Sequence, residues 1–145
     1  MNALTRSITS GTAGAVVLTL LHEVARRRIP SAPRMDLMGM RAIRRMAPNL
    51  REPQMSSRDL HNLALAGDIV SNSLYYAAIP ARSRRATWMR ATALGAAAGL
   101  GALLVPEPIG LGPPPHSHLR SNQLMTVAWY LAGAFATAAT ASALD

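Results

Sequence analysis

An aspartate that falls inside an apolar run is costly, and Asp68 stands in such a run, Leu60 to Ile79 (LHNLALAGDIVSNSLYYAAI). A carboxylate at the centre of a membrane helix is unfavourable by about 2.5–3.5 kcal/mol on insertion scales, and a single Leu returns only about half a kcal/mol. Such a group is therefore functional or held by hydrogen bonds inside the protein. His61, Asp68, Asn72 and Tyr75 follow one another at spacings of seven, four and three, which places them on one helix face. That row could form a polar pocket, a proton path or a set of interhelical hydrogen bonds. It implies no reaction.

Glu23 is the second ionisable candidate. It follows His22 directly, and neighbouring helical residues diverge by about 100°, so the two cannot grip one ion without a kink. No HExxH or Glu-x-x-His pattern exists, because Arg occupies positions 26 and 27. The expected partner of Glu23 is Arg26 or Arg27, within helical reach. His116 and His118 flank Ser117 in a loop where only Glu107 could add a ligand, an incomplete metal site. Nothing resembles a nucleophile elbow, a P-loop or a haem-attachment motif. The sequence therefore predicts no catalytic residue, no metal and no cofactor.

The elements that must carry these residues read as helices. Ser121 to Leu144 contains no charged side chain, and at about 1.5 Å per residue it can cross a hydrocarbon core of roughly 30 Å. Ala86 to Val105 is a similar run broken only by Arg90. Residues 8–28 make a further apolar helix, ended by Pro30 and Pro33. It runs straight into His22, Glu23 and an Arg triplet without a small-residue cleavage site, so it reads as a retained helix, not a cleaved signal. Residues 35–47 separate Arg41, Arg44 and Arg45 from Met35, Met38, Ile43 and Met46 on opposite faces. Too short and charged to span, that segment predicts an interfacial helix, or a Met-rich face gripping a partner. Pro48 to Arg58 reads as a polar linker, and Pro106 to Ser121 as an extended loop.

The predicted fold is therefore all-α: an integral membrane bundle of about four transmembrane helices (8–28, 60–79, 86–105, 122–144) plus one short amphipathic interfacial helix, in a single domain of 145 residues. Small residues mark where those helices would meet. Gly95 and Gly99 form a GxxxG pair, and Ala128, Ala132, Ala136 and Thr140 recur at four-residue steps.

Composition agrees. All 15 basic residues are Arg, giving a net charge of +8, and there is no Cys to form a disulfide or thiolate site. Few aromatics and no helix-turn-helix, RRM-like or zinc pattern argue against nucleic acid. The Arg excess fits cytoplasmic loops and anionic headgroups. Length and one-sided polarity favour four spans; a three-span arrangement would gather more of the Arg on one face. No internal repeat supports an inverted-repeat transporter.

The segments HEVARRRIPSAPRMDLMG and LALAGDIVSNSLYY resemble small uncharacterised bacterial multi-helix inner-membrane proteins. That resemblance implies a multi-pass location in the bacterial inner (cytoplasmic) membrane and carries no activity or site residue. The expected role is non-enzymatic: an accessory subunit or a homo-oligomer acting by helix packing, with membrane lipids and other membrane subunits or itself as partners. The alternative is a small-solute or proton-coupled transporter, or an intramembrane enzyme, using Asp68.

Overall fold

Five α-helices form where the apolar runs and their punctuation place them: α1 (Ala3–Arg28), α2 (Met35–Met46), α3 (Ser57–Tyr76), α4 (Arg84–Leu104) and α5 (Arg120–Ala143). The computed structural model describes residues 2–48 and 55–144, and these contain no strand. Residues 49–54 of the polar linker lie outside them. Side-chain caps start three of the helices. Asn2 accepts from the Thr5 N–H at 2.8 Å, Ser56 from Asp59 at 3.1 Å and Ser83 from Ala86 at 3.2 Å.

Four helices run alternately up and down, but not as a closed ring. Their order in space is α3, α1, α5, α4, and α2 lies across α3. Consecutive in sequence, α3 and α4 do not form a packed pair. Tyr75 reaches across between them, its hydroxyl donating to the Leu94 carbonyl at 3.0 Å.

Glycine sets the closest approaches. A Cβ on Gly133 would come within 3.0 Å of the Gly14 carbonyl oxygen and 2.9 Å of the Tyr76 hydroxyl, so α1 and α5 cross backbone on backbone. The interior is small and polar beside this crossing. Ser10, Ala15, Leu18, Thr87, Asn122, Thr126, Thr137 and Ala138 are all buried. Leu60, Tyr76 and Ile79 are buried too, but many large apolar side chains point outward: Leu4, Ile8, Val16, Leu20 and Val24 on α1, Val70 and Leu74 on α3, Leu104 on α4 and Leu124 on α5.

By length and composition α1 and α5 are the two helices able to cross a membrane. α3 carries Arg58, Asp59 and Asp68, and α4 carries Arg84, Arg85 and Arg90. The loop after α4 is folded, not extended as its Pro content predicted. Gly110 and Gly112 adopt φ of 79° and 74°, and the turns close through bonds such as Leu111 N–H to the Pro106 carbonyl at 2.9 Å. Within it His116 also takes a left-handed φ of 60°.

Candidate functional site

Asp68 sits midway along α3, facing α1. Its Oδ2 accepts from the Thr19 hydroxyl at 3.2 Å, and its Oδ1 from the Asn72 amide at 2.8 Å. The same Asn72 nitrogen donates to the Asp68 main-chain carbonyl at 2.9 Å, which locks the amide one turn below the carboxylate. Among the described residues two neutral donors, and no Arg, thus hold the Asp68 carboxyl.

The other members of the predicted row go elsewhere. Tyr75 turns toward α4. Its neighbour Tyr76, absent from the predicted site, is fully buried and donates its hydroxyl to the Tyr130 carbonyl at 2.8 Å. His61 lies two turns from Asp68 and joins a charged cluster where α1, α2 and α3 meet. Its Nε2 is 3.8 Å from Glu23 and its Nδ1 is 3.7 Å from Asp36.

Two planar pairs hold that cluster together. Arg26 grips Glu23 through Nε and Nη2, at 2.7 and 2.6 Å, and Arg27 lies 3.6 Å from the same carboxylate. Arg34 grips Asp36 the same way, at 2.8 Å on each oxygen. Burial pushes the Asp36 carboxyl up, but the Arg34 hydrogen bond and charge outweigh it and hold its pKa below the ordinary 3.8. Nothing in the local spacing marks Asp36 for this role, because its histidine and glutamate neighbours come from other helices.

His22 is placed between the cluster and Asp68. It is 6 % exposed, its ring meets Trp129 and Tyr130 edge-on at 5.4 and 5.8 Å, and neither ring nitrogen has a hydrogen-bond partner. A crevice of about 10 Å³, near the size of one water, is lined by His22, Thr19, Glu23, Asp36 and Asp68. Among the described residues no group of three or more His, Asp or Glu is arranged to hold a metal ion.

On its other side Asp68 borders a much larger space. A groove of about 600 Å³ opens between α2, α3 and the end of α4, floored by Tyr130. Its wall is mostly apolar: Met38, Ile43, Met46, Leu63 and Leu111 among others, with Asp68 the one carboxylate among the described residues that line it. The α2 helix roofs it. Gly39 lets α2 settle on Ala64, and Arg41 and Arg45 tie it to the far loop by donating to the carbonyls of Pro113 at 3.0 Å and Gly110 at 3.3 Å.

The predicted packing residues divide. Gly95 and Gly99 are buried against α5, where added Cβ atoms would meet Ala134 at 2.8 Å and Val127 at 2.7 Å. That pair is taken up within the chain. Ala128 is exposed and Ala132 and Ala136 are half-buried, whereas the interior of α5 uses the adjacent row Ala134, Thr137, Ala138 and Ala141. None of the family models, curated proteins or solved structures compared with the chain matches it.

Proposed function

We propose that this chain is a small multi-pass protein of the bacterial inner membrane, crossing it four times through α1, α3, α4 and α5, and acting by helix packing as an accessory subunit or homo-oligomer. One observation carries the reading: the helices present a broad apolar surface around an interior rich in small and hydroxyl residues. Ser10, Thr87, Asn122, Thr126 and Thr137 are buried alongside small Ala side chains and Leu18, Leu60, Tyr76 and Ile79, while Leu4, Ile8, Leu20, Val24, Val70, Leu74, Leu104 and Leu124 face outward. In water such a surface would drive aggregation; in lipid it is solvated, and the small interior allows close helix contact. α2 would then lie at the interface, and the unspent row Ala128, Ala132 and Ala136 would face a neighbouring helix.

The test has two parts. The protein should stay with membranes through alkaline carbonate washing and need detergent for extraction; release into buffer as a stable soluble species would end the membrane reading. In nonionic detergent, light scattering should give more than one copy per particle or a co-purifying membrane subunit, and Ala132→Leu should abolish that without lowering the unfolding midpoint. A lone monomer that ignores the substitution would end the assembly reading.

A second reading, transport or proton chemistry through Asp68, is favoured by one arrangement: this carboxyl borders the groove on one side and the crevice of His22 on the other. Proton flux into reconstituted vesicles, lost in Asp68→Asn, is the outcome that would favour it over assembly.

A further inference from the structure

We infer that the groove beside α3 is a binding site for a lipophilic monocation, a bulky apolar molecule whose delocalised positive charge pairs with Asp68. Three independent observations lead there. The volume, about 600 Å³, lies in the range of about 300–1,000 Å³ typical of small-molecule sites, and its wall is almost wholly apolar. Asp68 is the one carboxylate among the described residues on that wall, and its two protein donors, Thr19 and Asn72, leave carboxylate lone pairs unused. An anion would be repelled by the ionised carboxylate, whereas a cation supplies the counter-charge that its two neutral donors do not.

Gly67 supplies the third observation. It is mid-helix, where glycine is disfavoured, and it borders the groove next to Asp68. Every close-packed glycine in the bundle meets a neighbouring helix, but a Cβ built on Gly67 meets nothing within 4 Å. No packing contact accounts for it. Its bare position keeps the wall open beside the carboxylate.

The gap between α3 and α4 gives a lateral way in, since these two helices are not packed together. A guest dissolved in the surrounding apolar phase would arrive through that gap beneath the α2 roof. A delocalised cation suits this route better than an ammonium, which carries a tightly held hydration shell. The inference goes beyond the assembly reading and does not need it, because it concerns the interior of one chain.

The probe is tetraphenylphosphonium, measured by equilibrium dialysis against the full chain in nonionic detergent, with empty micelles as the partition control. Triphenylphosphine oxide serves as the neutral comparison and tetraphenylborate as the anionic one. Wild type should bind the cation saturably at one site, tighter than either comparison by roughly tenfold or more. Asp68→Asn should reduce cation binding by a similar factor and leave the oxide unchanged. Gly67→Leu, whose Cβ enters open space, should fill the groove and weaken cation and oxide alike while the unfolding midpoint holds. Should Asp68→Asn fail to fold, Gly67→Leu and the three-probe comparison decide alone. Equal binding of cation and oxide, a groove-filled variant that still binds the cation, or no saturable binding to wild type would each overturn the inference. Solubility without detergent would defeat only the membrane reading, and the same titration would still apply.

Discussion

Gly14 and Gly67 are both helix glycines, and they sit in opposite halves of the molecule. At Gly14 the backbone of α1 presses on Gly133 and Thr137 of α5, with no room for a methyl group; at Gly67 an added Cβ meets nothing. The α1–α5–α4 half is a stack of helices brought together by absent side chains. The α2–α3 half packs through Gly39 on Ala64 yet leaves beside Gly67 a space walled by Met, Leu and one carboxylate. The same residue type therefore serves closure on one side and access on the other, and only its surroundings tell which.

Substitutions at these positions test that contrast. Gly14→Leu should have the largest effect, because the new side chain must push α5 away; the loss should be about 3 kcal/mol, read as a lowered unfolding midpoint in detergent. An unchanged midpoint would mean that α1 and α5 do not cross as closely as described. Tyr76→Phe, next in size, keeps the ring and removes only the hydrogen bond to the Tyr130 carbonyl, so about 1 kcal/mol should be lost. Gly67→Ala should act in the opposite direction, raising stability by about 0.5–1 kcal/mol, since helix propensity improves and nothing is displaced. A loss there would show that the groove side is as tightly packed as the other.

The smallest expected effect belongs to the charged cluster and is confined to acid. Because the folded pKa of Asp36 lies below the unfolded value of 3.8, its contribution to stability is complete above that value. It is lost as pH falls through the folded pKa. Midpoints measured from pH 6 downward should therefore diverge between wild type and Asp36→Asn above about 4, with wild type higher, and converge in stronger acid. Parallel curves at every pH would remove the Arg34–Asp36 pair from the list of stabilising contacts.

Much of the architecture is visible in the chain itself. Apolar runs and the prolines after them locate the five helices of the described residues, because local hydropathy and capping act over a single turn, although α1 begins at Ala3, ahead of the expected residue 8. The Asp68–Asn72 bond follows from a spacing of four. What local pattern leaves open is which side of each helix turns inward. Tyr75 and Tyr76 differ by about 100° of rotation, and only contact with α5 selects Tyr76 for the interior. α5 carries two alanine rows at four-residue steps, and composition cannot choose between Ala128–Ala136 and Ala134–Ala138. The Thr19 partner of Asp68, the meeting of His61 with Asp36 and the docking of α2 all depend on pairs far apart in sequence. Three versus four spans stays ambiguous for the same reason: the polar face of α3 is tolerable only in company.

The crossing of α1 with α5 has a consequence for how the chain is made. α1 is made before α3, α4 and α5, yet it crosses α5 backbone on backbone; Arg6 near the start of α1 bonds to the Ala141 carbonyl near the end of α5 at 3.2 Å, 135 residues away. Until α5 emerges from the ribosome, Ser10, Gly14 and Thr19 have only α3 to lie against. The native bundle is therefore completed by a late, sequence-distant docking step, the kind that slows folding and exposes a half-built surface in the meantime.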